Sequence, residues 1–386
     1  MPGPPEHQDQ PLIMVVGMGD LSTRLLNMLL ADPATSRLVL AGRDVDAIRR
    51  RANLARFAAM NLGVIGRTEV KHVDLNNVAA TAEAIAEARP EIIFMGATLQ
   101  SWRVITELPK EVFAELDEAQ LGPWLPMHLT LNYLLMQAVR MSGVDTKVVN
   151  AAFPDAVGPV LAKVGLAPAI GIGNVANIIP ALKCGFAHAA GADPADVELR
   201  LVAQHYFSHY VPRFGNSGDG AYHLTVRIRG EQVGDEIDHA DVFRQLRTRL
   251  QRLGGLEGQL LTASSAMRVL SAMATDSKIL AHAPAPNGLP GGYPVLVGRD
   301  GGVIDLDASL TIEEAIRINE AGQHADGIAH IDDEGTVTFT EPEMAVMKRM
   351  LGYECRTMKL SESAEWAHEL DGKYRAFAAQ YKRCDD

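Results

Sequence analysis

The sequence predicts an α/β chain in two parts: a doubly wound parallel sheet over residues 11–190 and an α+β half over 191–386, preceded by a disordered tail over 1–10. Three observations lead there. From Leu12 to about Ala187 short apolar runs alternate with longer stretches of helical period, the rhythm of β-α-β units. Beyond Asp193 the pattern changes to alternating segments and then long helical stretches. With 386 residues, 47% of them hydrophobic and 22% charged, the chain is long enough to bury two cores.

Taken in order, strands are expected over 12–16, 37–41, 69–73, 92–95, 147–150 and 169–172. Helices are expected over 21–30, 45–62 and 78–88, in a long stretch ending near Met141, and over 156–163. Six strands joined by crossovers is the count of a Rossmann-type sheet. In the second half, 198–203 and 223–229 alternate, and 240–253 and 262–280 have helical period. The Pro/Gly-rich run AHAPAPNGLPGG (281–292) reads as a loop, YPVLV and GGVIDL as two short strands, and 311–321 as a helix. Residues 329–340 read as a hairpin turning at Asp333-Glu334-Gly335, and extra helices over 341–351 and 362–381 close the chain.

Composition narrows the function. A formal net charge of −12 repels phosphate backbones and anionic lipid, which argues against nucleic-acid and membrane partners and leaves a small-molecule substrate. Cys184, Cys355 and Cys384 are too few and too scattered for a disulfide framework and form no CxxC pair, which fits a reducing cytoplasm. No basic n-region precedes an apolar stretch, and no segment reaches the roughly 18 apolar residues of a membrane span.

The segment LIMVVGMGDLSTRLLNMLL places Gly17-x-Gly19-x-x-Ser22 between a buried strand and an amphipathic helix. Gly17 permits the tight turn, Gly19 presents no side chain to a pyrophosphate, and the free N–H groups at the helix start favour an anion. Ser22 takes the third glycine position, which governs how closely helix and strand pack. The second strand ends in LVLAGRD, where an NAD site would offer a carboxylate to the ribose. Gly42 leaves space and Arg43 follows, the arrangement that accepts a 2′-phosphate, so NADP is favoured over NAD; in the alternative Arg43 points to solvent and Asp44 takes the ribose. Asp20 and Leu21 at the helix start, Asp74 after the third strand, and Gly96, Ala97 and Thr98 after the fourth complete the expected cofactor set.

In the order of these elements residues 12–325 resemble the lactate/malate dehydrogenase superfamily, which also contains NAD-dependent family 4 glycosidases. KVVNAAFPDAVGPVLAKVGLAPAIGIGN is similar to that family's fifth strand, asparagine loop, helix and sixth strand. The resemblance implies that Asn150 approaches nicotinamide and substrate. ELRLVAQHYFSHYVPRFGNS resembles the strand carrying the catalytic histidine shortly before a Val-Pro pair, here Val211-Pro212. GGYPVLVGRDGGVIDLDASLTIEEAIRINEAG resembles the closing strand pair and last helix. The family's aspartate and its carboxylate-clamping arginine fall at Asn177 and Pro180, the loop after the fourth strand offers only Arg103, and the glycosidases' Cys-His pair is replaced by Gly173-Asn174. The resemblance also implies a homodimer or homotetramer.

Hydride exchange at a carbon bearing oxygen needs a proton partner that titrates near neutrality. His205 and His209, four apart in AQHYFSHYV, are the candidates, His205 preferred; the segment suits a strand or a helix equally, and either ring has a packing role as its alternative. Asn177 would orient the imidazole, and Lys183 would replace the missing arginine unless it is an exposed helix lysine. Asp155 lies at the carboxyl edge of the sheet and serves as a site group or a helix cap. Trp102 and Arg103 follow the fourth strand, Trp102 stacking on a ring or plugging against Trp124. Tyr222 sits beside a glycine-rich loop, Arg213 is a further partner for an acidic group, and His128 and Asn132 read as a buried polar pair. No spacing completes a metal set. The chain thus reads as an NAD(P)-dependent oxidoreductase acting on a hydroxyl or carbonyl of a small polar metabolite, hydroxy acid or sugar-like. Its alternatives are a redox-assisted epimerase, lyase or glycosidase with tightly held dinucleotide, and a cofactor-binding homologue without catalysis.

Overall fold

All four residues of the first strand are buried, so helices must cover both faces of the sheet that contains it. The computed structural model describes residues 10–234 and 236–381. The expected tail lies outside them except for Gln10, which is packed, its carbonyl accepting from Arg37 at 3.1 Å. Cys384 lies outside them too. The first sheet comprises β1 (Ile13–Val16), β2 (Arg37–Gly42), β3 (Arg67–His72), β4 (Ile92–Met95), β5 (Lys147–Asn150) and β6 (Ile170–Gly171), all parallel, in the order β3-β2-β1-β4-β5-β6. Ile13 and Val15 face a core shared with α1 (Asp20–Ala31) and α2 (Val45–Asn61). Met14 and Val16 face the other, shared with α3 (Val78–Ala88), α4 (Lys110–Asp117), α5 (Leu125–Ser142) and α6 (Pro154–Ala162). Asp44 and Asn77 start α2 and α3 by accepting from Ala47 N at 2.9 Å and Ala80 N at 3.1 Å. The strand order reverses between β1 and β4, which opens a crevice at their carboxyl ends.

After α7 (Val175–Ala190) the second sheet is antiparallel: β7 (Val197–Ala203), β8 (Tyr222–Ile228), β9 (Glu231–Gln232), β10 (Ile279–Pro284), β11 (Gly292–Gly298) and β12 (Gly301–Ile304) run in the order β10-β11-β7-β8-β9, with β12 on β11. Around it lie α8 (His205–Phe214), α9 (His239–Arg247), α10 (Gly255–Thr275) and α11 (Ile312–Ala325). The expected loop over 281–292 is shorter than its composition suggests: residues 281–284 are strand, the end of β10, and the loop runs over 285–291 to β11. Ala281 and Ala283 alternate with His282 on a pleat paired to β11, and composition had masked that alternation. The helix expected over 262–280 begins at Gly255 and stops at Thr275, where Asp276 turns left-handed at φ 48°, and the one expected over 240–253 stops at Arg247. The segment around His205 is helix, α8.

The closing segment forms a small sheet of β13 (Ile328–Ile331), β14 (Val337–Phe339) and β15 (Thr357–Met358) with α12 (Glu341–Leu351) and α13 (Ser363–Ala379). The hairpin turns where expected, Asp332 accepting from Glu334 N and Thr336 N. These residues were expected to belong with the second half, but their apolar side chains, Met347, Met358 and Leu370 among them, bury in the α3–α5 core of the first sheet. Among the described residues no helix is long and apolar enough to cross a membrane.

Candidate functional site

A cleft of about 720 Å³ runs along the carboxyl ends of the first sheet. One end is built from the glycine turn. Gly17 sits at φ +84°, and a Cβ there would meet Ala97 Cβ at 2.7 Å, so the turn admits only glycine. Gly19 is the opposite case: a Cβ would meet nothing within 4 Å and would project into space that a ligand needs. As the N-cap of α1 it offers no side chain to the first N–H groups, which leaves these donors for an anion. Ser22 holds the close helix–strand approach: its buried Oγ lies where a Cβ on Gly96 would be, 2.2 Å away, and bonds nothing. Asp20, Leu21, Gly42, Arg43, Asp44, Asp74, Gly96, Ala97 and Thr98 line the same cleft, so eleven of the expected cofactor residues stand together with Gly17 and Gly19 among them. Arg43 is exposed at its mouth, while Asp44 uses Oδ1 on the α2 cap. Arg51, not anticipated, joins them and anchors to the Met18 carbonyl.

The other end is built around His205 at the start of α8. Its Nδ1 lies 2.9 Å from Oδ2 of Asp326, a carboxylate only 1% exposed that also accepts from Gln204 Nε2 at 2.9 Å and, through Oδ1, from Leu121 N at 3.3 Å. Burial disfavours the imidazolium, but the Asp326 charge and hydrogen bond more than offset it, helped by Asp155 and Asp117, so the His205 pKa lies above its ordinary value. Phe153 stands edge-on to the ring at 5.6 Å. His128 also lines the cleft; burial and the nearby His205 push its pKa down to about 4, leaving a neutral ring 3.3 Å from Thr98 Oγ1. Asn132 bonds the His128 backbone carbonyl rather than its ring, so the two are no side-chain pair.

Several expected site residues are placed elsewhere. Asn150 is spent on its own turn, donating to Ala152 O at 3.1 Å and accepting from Ala152 N at 2.8 Å, and the flanking Ala151 and Ala152 line the cleft in its stead. Asn177 does not orient the imidazole; it donates to Thr262 Oγ1 at 3.0 Å, because the acid that does comes from the far end of α11. Lys183 faces a second cavity between α7 and α10, with Arg268 and His282. His209 stacks on His205 at 5.5 Å, its Nε2 accepts from Arg213 Nη1 at 2.9 Å and stands 3.8 Å from Asp117, and burial lowers its pKa against the pull of that carboxylate. Arg213 is bound to Asp117, and Arg103 is held by Glu107 and, at 3.1 Å, Asp20. Trp102 lines the cleft and packs edge-on against Trp124 at 5.9 Å, the plug that was the alternative to stacking on a ring. Tyr222 is one ring of a cluster with Phe207 and Phe243 on the second sheet, away from the cleft. Asp155 is wholly buried behind the wall, its Oδ2 bonded by the Asn174 amide.

Sequence reasoning missed Asp326, read His128 only as half of a buried polar pair, and read Asn174 only as a departure from the glycosidases' Cys-His pair. Asp326 is 121 residues from His205 and looks locally like the cap of α11. Its only sequence signal is the Asp-Gly pair with Gly327, which marks a turn.

No family model matches the chain, and no curated protein matches it in sequence. Solved structures do. The chain is similar to the lactate dehydrogenase of Eimeria maxima, solved with NADH and oxamate, at 15% identity and a TM-score of 0.54, over 81% of this chain and 91% of that one. It is similar to the lactate dehydrogenase of Cryptosporidium parvum, complexed with lactic acid and nicotinamide adenine dinucleotide, at 16% identity and a TM-score of 0.50, over 82% and 98%. The minor L-lactate dehydrogenase of Enterococcus mundtii, in a ligand-bound form, gives 13% and 0.50 over 81% and 95%. Likeness at these identities is likeness of fold: the chain is built on the fold of the lactate dehydrogenases.

Proposed function

We propose that this chain holds a nicotinamide dinucleotide along the cleft and exchanges hydride with a hydroxyl or carbonyl carbon of a small polar metabolite, with His205 as the proton partner. The observation that carries the reading is the His205–Asp326 pair at 2.9 Å, set in the same cleft as the Gly17-x-Gly19 turn. The residues present suit the cofactor: an open Gly19, uncapped helix donors, and Arg43 and Arg51 beside them. When bound, the nicotinamide supplies the hydride donor or acceptor.

The chain's own residues handle the proton. Asp326 can only accept, so it fixes Nδ1 as the protonated nitrogen and leaves Nε2 for the substrate. In the reducing direction the imidazolium gives its Nε2 proton to the carbonyl oxygen; in the oxidising direction the neutral ring takes the hydroxyl proton and Asp326 stabilises the charge that results. Phe153, Trp102 and Leu131 shield the site from water. Arg43 next to Gly42 supports a preference for NADP; the solved relatives carry NAD or NADH. The exposed apolar residues Leu54 and Phe57 on α2, with Leu62 and Ile65 after it, support assembly into a homo-oligomer.

Fluorescence titration with NADH and NADPH tests the reading. Tight binding is expected in the wild type, loss with Gly19→Asp, and a larger loss for NADPH than NADH with Arg43→Ala. A wild type that binds neither nucleotide sinks it.

A further inference from the structure

The His205 end of the cleft is poor in cations. Among the described residues that line the cleft, Arg43 and Arg51 are the only arginines or lysines. Both belong to the β2–α2 segment, whereas His205 packs on Phe153 just beyond β5. Three strand spacings separate β2 from β5, roughly 14 Å. The nearer candidates are committed elsewhere: Arg103 to Asp20 and Glu107, Arg213 to Asp117, Lys183 to the second cavity.

What surrounds His205 instead is acid. Asp155 and Asp326 are both almost wholly buried, and both act on its charge. A substrate carboxylate would lose its water beside two buried carboxylates, with one imidazole already engaged as its only counter-charge. A hydroxyl meets no such barrier, and the cleft wall is furnished for one. Asn174 stands at φ 50°, ψ −113°, a conformation that a non-glycine residue keeps only when its surroundings hold it. The holding group is Asp155, whose Oδ2 accepts a hydrogen bond from Asn174 Nδ2 while Oδ1 has no partner. The amide is thereby oriented, and among the described residues no donor reaches Asn174 Oδ1. Next to it, against Gly173, Thr262 Oγ1 accepts from Asn177, which leaves the Thr262 hydroxyl proton to donate.

Building on the dehydrogenase reading above, we infer that the substrate is uncharged and carries a second hydroxyl beside the reacting carbon, as in a neutral polyol or hydroxycarbonyl compound, and that Asn174, held in place by Asp155, recognises that hydroxyl. Asn174 is a specificity residue and Asp155 a positioning residue.

The test is binding to the protein saturated with its nucleotide, followed by saturation-transfer NMR and calorimetry. The probes are glycerol, erythritol and inositol against glycerate, erythronate and lactate. At least one polyol is expected to bind tenfold or more tightly than its matched acid. Asn174→Gly, which suits the local backbone, is expected to weaken polyol binding about tenfold with nucleotide affinity unchanged. Asp155→Leu is expected to match that loss, whereas Asp155→Asn, which keeps an oxygen for the Asn174 amide, retains binding. Tighter binding of the acids, no binding by any polyol, or an unaffected Asn174→Gly overturns the inference while leaving the dehydrogenase reading intact. A protein that binds no nucleotide overturns both.

Discussion

Replacing Asp155 by asparagine is expected to stabilise the protein at alkaline pH and to leave its stability unchanged in acid. Burial raises the Asp155 pKa from 3.8 to about 6, against the pull of His205 and of the Asn174 amide and with Asp326 adding to the rise. The folded carboxyl therefore holds its proton more tightly than the unfolded one. The cost of ionising it in the fold is absent below about 3.8, grows as pH rises toward 6, and is complete above that. The difference corresponds to about 3 kcal/mol at roughly 1.4 kcal/mol per pH unit. Asparagine has the same shape, keeps an acceptor for Asn174 and never ionises. Thermal melts of both proteins at pH 4 and pH 8 read the effect. The variant should melt higher at pH 8, by on the order of 5 °C, since 1 kcal/mol moves a large domain by roughly 2 °C; at pH 4 the two melts should coincide. A variant no more stable than the wild type at pH 8 refutes the reasoning, because the buried charge would then carry no net cost.

Asp326→Asn should lower turnover by roughly 10²–10⁴-fold without weakening nucleotide binding, and NMR titration should find the His205 pKa lowered; an unmoved pKa would remove Asp326 from the relay. The glycine turn separates stability from binding: Gly17→Ala should destabilise the fold by about 2 kcal/mol or more through its positive φ and the Ala97 clash, while Gly19→Ala should melt like wild type and bind nucleotide less well. Tyr374→Phe keeps the ring on Trp124 but loses the 3.1 Å bond to Val104 O, so hydrogen exchange should quicken over 101–108 at a cost of about 1 kcal/mol; unchanged exchange would show that this bond does not pin the loop. Leu54→Glu with Phe57→Glu should reduce the mass seen by light scattering to that of one chain, and an unchanged mass would place any interface elsewhere.

The first sheet was legible because local and global preferences agree there. Its strands are short apolar runs, α2 and α3 carry their own caps, and the Gly17 turn has a chemistry that no other residue satisfies. β10 was hidden because Pro284 and the prolines and glycines that follow it dominate the window, although its partner β11 begins only eight residues on. The site divided along the same line. The nucleotide end is made from consecutive residues at strand ends and could be read in order. The His205 end could not, because its acid, its edge-on phenylalanine and its oriented asparagine come from three separate elements, and no spacing rule connects His205 to Asp326. Where the dehydrogenase pattern expects an aspartate, Asn177 has been turned to hold Thr262. The carboxylate beside His205 comes instead from Asp326, at another place in the chain.

The placement of the closing segment bears on how the molecule is made. The α3–α5 face of the first sheet stays uncovered until α12 and α13 have been synthesised, and the bonds that fasten that face span 205 residues from Leu121 to Asp326 and 270 from Tyr374 to Val104. Contacts so remote in sequence form late and slowly. A nascent chain therefore completes its glycine turn early, yet cannot pair His205 with Asp326 until translation has passed Asp326, so on the proposed reading a half-made protein holds nucleotide without turning substrate over.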